Sequence, residues 1–166
     1  MTQSQAQMLL DMLRSASPDA TGLWPSGCTI AVNDVDDPAA FAALAVLLES
    51  ESDSVRANAA WVLGYAGNPE ALETLEPLLR DKSPNVRLRA AEAVAKFGAV
   101  DDMIPALAEL IAADPNPLTR LLAIHALYIT RDHPDAVAAL RMASDDSDTA
   151  VREAALRMIA GHTPWK

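Results

Sequence analysis

Val55-Arg56-Ala57-Asn58-Ala59-Ala60 returns as Val86-Arg87-Leu88-Arg89-Ala90-Ala91. It returns again as Thr119-Arg120-Leu121-Leu122-Ala123-Ile124 and as Val151-Arg152-Glu153-Ala154-Ala155-Leu156. The arginines stand 31, 33 and 32 residues apart (56 to 87, 87 to 120, 120 to 152). A period of this length means stacked supersecondary units, each burying its apolar face against its neighbours. Such a stack is an architecture for contact and places no chemistry by itself.

Working outward, the helix boundaries follow from proline. Asp37-Pro38, Asn68-Pro69, Ser83-Pro84 and Asn116-Pro117 each pair a capping side chain with proline at the first helical position. The cap accepts from a free backbone N–H, and proline has none to leave unpaired. His133-Pro134 is a weaker fifth case. Gly67 and Gly98 fall eleven residues after a repeat arginine, where a helix stop suits left-handed backbone. These signals predict first helices near 38–50, 69–81, 101–113 and 134–144, and second helices near 54–66, 84–97, 117–130 and 148–160. Pro77 and Pro105 are expected to kink their helices, because each removes a backbone bond.

Within the second helices the offsets −1, +3 and +7 from the arginine share one face. Offset +3 is always alanine: Ala59, Ala90, Ala123 and Ala155. Offset +7 gives Leu63, Val94, Leu127 and Ile159 as expected core. A helix near 3–15, within a cap spanning 1–16, is expected to close the amino-terminal end. Residues 17–37 break the pattern with turns at Ser17-Pro18-Asp19 and Gly22 to Gly27, and a short extended stretch at Thr29 to Val32. Two readings of this stretch stand open: an arm that binds a partner, or a segment whose Leu23, Trp24, Ile30 and Val32 pack over the first helix pair. Repeats then fill 38–161, and a tail covers 162–166.

Bulk composition narrows the function. The 166 residues suit a single domain. Apolar residues reach 51% while aromatics are 4%, so alanine and leucine carry the interior, which favours close-packed helices. The formal charge is −10. Residues 1–54 hold Asp11, Asp19, Asp34, Asp36, Asp37, Glu49, Glu51 and Asp53 against Arg14 alone. Such a surface repels phosphate backbones, so no nucleic-acid partner is expected. Cys28, the single cysteine, makes no internal disulfide and no Cys-based zinc site. No secretory signal and no membrane span are expected from the amino terminus or from any apolar run, and a cytoplasmic protein follows by elimination.

The residues resemble a known family. Trp61-Val62-Leu63-Gly64-Tyr65-Ala66-Gly67-Asn68-Pro69-Glu70-Ala71-Leu72 is similar to the linker of short HEAT repeats of the phycobilisome-lyase (E-Z-like) type. Val86-Arg87 followed by Ala90-Ala91 matches the other half of that signature. Asp81, Asp114 and Asp146 each precede a repeat arginine by six residues, as in the family. The first copy departs with Ser50 between Glu49 and Glu51, and the third with Thr119 and Ile124. The resemblance covers about residues 38–160. It implies an all-α fold: a right-handed alpha-alpha superhelix of about four HEAT-like pairs. For function it implies a family that spans interaction scaffolds, chromophore (bilin) lyase or chaperone-like subunits, metal-dependent hydroxylases and DNA-repair enzymes, and fold membership does not choose among them.

Two sets of residues are candidates for contact. The ladder Arg56, Arg87, Arg120 and Arg152 offers an anion site on one reading. On the other it ties units together, each guanidinium bridging carboxylate and carbonyl oxygens. The second set is the outward row of the second helices at offsets +2, +5 and +9, which the resemblance places on the concave face. It comprises Asn58, Trp61 and Tyr65; Arg89, Glu92 and Lys96; Leu122, His125 and Ile129; and Ala154, Arg157 and Gly161, with Tyr128 beside it. The row differs in every copy, as a recognition surface for an asymmetric partner would and as a neutral surface also does. Its tryptophan, tyrosines and arginines are types enriched in interface hot spots. The expected partner-binding set is Asn58, Trp61, Tyr65, Arg89, Glu92, Lys96, His125, Tyr128 and Arg157. His125, His133 and His162 lack ligand spacing, and no nucleophile or phosphate motif appears, so no catalytic set, metal or cofactor is expected. The reading is a non-enzymatic adaptor for a protein or peptide, with the oligomeric state open.

Overall fold

A computed structural model describes Asp11, residues 38–66 and residues 71–162. The expectations for the capping helix within 1–16, the arm at 17–37, Cys28, Gly67, the Asn68 cap and the tail at 163–166 lie outside the described residues. Among the described residues there are eight α-helices and no strand. They are α1 Pro38–Leu48, α2 Asp53–Ala66, α3 Ala71–Leu75, α4 Pro84–Phe97, α5 Ile104–Ala113, α6 Pro117–Ala126, α7 Pro134–Ala143 and α8 Thr149–Ile159. Two 3-10 helices, Glu76–Arg80 and Asp101–Met103, complete the first helices of the second and third pairs. The four second helices, α2, α4, α6 and α8, each pack on the next, and α5 packs on α7 in the other layer. This is an alpha-alpha solenoid.

Local chemistry explains most boundaries. Asn116 Oδ1 accepts from Leu118 N at 3.0 Å, and Asp148 Oδ1 accepts from Ala150 N at 2.9 Å. His133 Nδ1 accepts from Asp135 N at 3.3 Å. Ser83 is a correction: it stands at the N-cap of α4 without capping it. Its hydroxyl donates instead to Asp53 Oδ2 of the preceding repeat at 3.2 Å.

The two internal prolines act differently from each other. At Pro77 the α-ladder of α3 gives way to the 3-10 helix Glu76–Arg80, because the missing N–H ends the i−4 pattern. Pro105 does not kink a helix. It occupies the first turn of α5, where its absent N–H costs nothing. The α6 helix also stops earlier than the spacing predicts. Leu127 N is shared between Ala123 O and Ile124 O, and Tyr128 N bonds His125 O, so the last turn tightens to i−3.

Gly98 closes α4 at φ 80°, a left-handed backbone that side chains resist. A Cβ there would also overlap the Ile129 side chain. Ala99 N then bonds Ala126 O of the next repeat at 2.7 Å.

The core follows the repeat face. Ala59, Ala90, Ala123 and Ala155 are all fully buried, and the small side chain lets stacked helices approach closely. At offset +7, Leu63, Val94 and Leu127 are fully buried as expected. Each such side chain contributes about 1.5–3 kcal/mol of transfer free energy. Ile159 is a correction: it is 47% exposed. This position is covered by the following repeat, and α8 has none after it among the described residues.

Candidate functional site

The arginine ladder settles into one geometry. Arg56 Nε donates to Asp81 Oδ2 at 2.7 Å and Nη2 to Oδ1 at 2.8 Å. Arg120 makes the same fork to Asp146, at 2.8 and 2.7 Å. Arg87 Nε reaches Asp114 Oδ2 at 2.6 Å. Each Nη1 turns back to the loop before its own helix: Ser50 O at 2.7 Å for Arg56, Asp81 O at 2.9 Å for Arg87, Asp114 O at 2.8 Å for Arg120, and Asp146 O at 2.7 Å for Arg152. One guanidinium therefore closes its own loop and grips the carboxylate of the following repeat. The fork raises the pKa of Arg56 and Arg120 and holds Asp81 and Asp146 below the usual carboxylate range. Arg56, Arg87 and Arg120 already carry a carboxylate, so the ladder works as a structural tie.

The aspartate has a second duty. Its Oδ1 accepts from the N–H two residues on: Ser83 at 2.8 Å, Asn116 at 2.9 Å and Asp148 at 2.8 Å. Ser50 makes the same turn through Oγ to Ser52 N at 3.3 Å. Serine thus keeps the turn and gives up the charge.

The outward row is organised by α2 and α4. The Trp61 and Tyr65 rings lie 4.2 Å apart between centroids, tilted by 37°. Helical spacing of four residues brings them together. Trp61 is half-buried against the core, whereas Tyr65 is 51% exposed. Lys96, from the next repeat, sets Nζ 2.9 Å from the Tyr65 ring centroid. An ammonium over a ring face is held by the ring quadrupole. Burial lowers the Lys96 pKa, opposed by the charge of Glu92. Arg89 donates to Glu92 at 2.8 Å on the same helix. Five of the expected residues therefore sit on two adjoining helices: Trp61, Tyr65, Arg89, Glu92 and Lys96.

The other four divide. Asn58 is a correction: it is only 5% exposed, within a run from Val55 to Ala60 that is buried throughout. The small Ala57, Ala59 and Ala60 let the surroundings close over this turn, so Asn58 does not face outward. Its counterpart Ala154 is buried as well. His125 is half-buried, and burial lowers its pKa. Tyr128 is half-buried beyond the end of α6. Arg131, not anticipated from the sequence, places Cζ 5.0 Å from the Tyr128 ring and donates to Tyr128 O at 3.1 Å. Its spacing of three from Tyr128 was the available signal. Arg157 is half-buried on α8, two repeats from the Trp61 cluster.

Among the described residues no three His, Cys, Asp or Glu side chains converge as a metal site. No described helix is long and apolar enough to cross a membrane. Comparison with curated proteins returns no match. The family model for HEAT repeats matches residues 41–128 and 99–160. These spans take in every described helix pair and the whole arginine ladder, and the chain belongs to the HEAT-repeat family.

Proposed function

We propose that this protein is a non-enzymatic adaptor of the cytoplasm that binds a protein or peptide through the concave face lined by its second helices. The carrying observation is the Trp61–Tyr65–Lys96 cluster, which spans two repeats and leaves Tyr65 and Lys96 exposed. An aromatic pair beside paired and exposed charges is the composition of an interface hot spot. Arg56, Arg87 and Arg120 are consumed by the stack, whereas the outward row varies from copy to copy. The net charge of −10 disfavours nucleic acid as the partner.

Quantitative capture from native lysate tests this reading. Tyr65→Ala combined with Lys96→Glu, both at exposed positions, should remove the specific partner while helicity and melting temperature stay nearly unchanged. Retained capture overturns the site. The bilin lyase or chaperone reading is supported by the Trp61–Tyr65 ring pair, an aromatic surface that a flat chromophore can lie against. Adding bilin to the purified chain and recording its absorbance separates the two; an unchanged spectrum at high micromolar ligand removes this second reading.

A further inference from the structure

The outward row is opposite in sign to the chain that carries it. The formal charge is −10, yet the outer side of the second helices, with the turn after α6, carries Arg89, Lys96, Arg131 and Arg157 against Glu92 and Glu153. Glu92 is already bonded to Arg89 at 2.8 Å. Among the described residues no carboxylate pairs with Lys96, Arg131 or Arg157. Other arginines are taken up: Arg56, Arg87 and Arg120 by the ties between repeats, and Arg80 by Glu76 and Glu109. The cations of the row stand beside apolar surface. Lys96 lies over Tyr65, Arg131 over Tyr128, and Ile129, next to Tyr128, is 65% exposed. The strip has an edge at Ile129, where Asp101 and Asp102 line a hollow of about 520 Å³ together with Val100.

We infer, resting on the concave face proposed above, that this strip holds an acidic segment of a partner protein. The segment lies across the second helices, with apolar residues on Tyr65 and Ile129 and carboxylates on Lys96, Arg131 and Arg157. Packed helices stand about 8–10 Å apart, and an extended chain advances about 3.3 Å per residue. The cations of one repeat therefore give way to those of the next after two or three residues of such a chain. The segment carries aspartate or glutamate at that spacing, with apolar residues between. Carboxylates on the rest of the surface repel it, and Asp101 and Asp102 turn it away from the loop edge. Complementary charge of this kind fixes register and partner choice more than affinity.

The test places p-benzoylphenylalanine at Ile129 in the full chain, expressed in its native cells, and maps the cross-linked segment by mass spectrometry. A peptide of that segment is then titrated with the purified chain by fluorescence anisotropy. The expected segment has carboxylates two or three residues apart around the cross-linked position. Arg131→Glu with Arg157→Glu should weaken its binding by about tenfold, a few-fold for each exposed charge contact reversed. Arg131→Lys with Arg157→Lys keeps the charge and should stay within about threefold, and circular dichroism checks that both variants remain folded. Replacing the peptide's acids by lysine should abolish binding to the unaltered chain. A segment of neutral or basic composition, a nucleic acid, residues 34–37 of a second copy, no cross-link, or binding that charge reversal leaves unmoved overturns the inference. In those cases loss of capture in Tyr65→Ala with Lys96→Glu still upholds the concave site, and failure of that pair as well removes both.

Discussion

Arg56 and Asp81 join two repeats through a two-point bond, 2.7 Å at Nε and 2.8 Å at Nη2, with both side chains at or below 10% exposure. The pair is nearly dry, so removing one half is not equivalent to removing both together. Asp81→Ala strands a buried guanidinium and should cost about 3–5 kcal/mol. Replacing both with apolar residues, as in Arg56→Met with Asp81→Leu, should recover most of that loss. Urea unfolding followed by circular dichroism measures both variants; equal losses in the single and double variants would refute the account.

Asp146 carries a pH consequence of the same geometry. The Arg120 fork, the largest cause, holds its folded pKa below the ordinary value of 3.8. A depressed folded pKa supplies stability that is fully present above the unfolded value. That stability is lost as pH falls through the lower folded value. The urea midpoint should therefore be insensitive to this group at neutral pH and fall steeply below about pH 4. Asp146→Asn should be less stable at pH 7 and show a shallower acid limb. An unchanged slope below about pH 4 would contradict the assignment.

Thr119 departs from the valine of three repeats and is fully buried. Its Oγ1 has no hydrogen-bond partner among the described residues. A buried hydroxyl without a partner costs about 1–3 kcal/mol, and valine has nearly the same shape. Thr119→Val should raise stability by about 1 kcal/mol or more, read as a higher urea midpoint with an unchanged slope.

Much of this fold was legible because the repeat averages local signals. The alanine column, the Asn116 cap and the Gly98 stop each rest on a few neighbouring residues, and each appears as the sequence implies. What escaped depends on register between repeats. Which carboxylate each arginine takes is decided by stacking: Asp81 goes to Arg56, while Arg87 takes only its carbonyl. Asn58 shares a helical face with Trp61 and Tyr65, yet its burial is set by what closes over the turn. Ile159 reads as core, but its burial needs a following repeat. The Lys96–Tyr65 pairing joins two copies of the pattern, and a single helical wheel does not contain it.

Gly64 meets Ala93 across the α2–α4 junction. A Cβ at Gly64 would lie 2.5 Å from Ala93 Cβ and 2.7 Å from its Cα. Gly64→Ala gains about 1 kcal/mol of helix propensity. Overpacking costs about 1–3 kcal/mol, and the backbone atom places this site toward the upper end. The variant should be less stable by about 1–2 kcal/mol net. Adding Ala93→Gly should recover little, because the backbone at position 93 still obstructs the new methyl group and α4 loses its own alanine. Full recovery by the double variant would show that only the methyl groups conflict.

Lys96 reports on the electrostatics of the aromatic row. Burial lowers its pKa, while the Glu92 carboxylate pulls it back up and Arg89 lowers it further. Glu92→Gln removes the carboxylate that attracts the ammonium, and it releases Arg89 from its 2.8 Å bond. Both changes disfavour the charged amine, so the Lys96 pKa should fall further. Tyr65→Leu removes the ring face under Nζ and should also lower it, because the ammonium loses its quadrupole partner without gaining a carboxylate. A titration of the lysine side-chain NMR signals measures these shifts site by site. A rise in Glu92→Gln would mean that Lys96 turns away from Tyr65 toward solvent, and a rise in Tyr65→Leu that the ring does not hold the ammonium; either way the aromatic cluster would lack its cation.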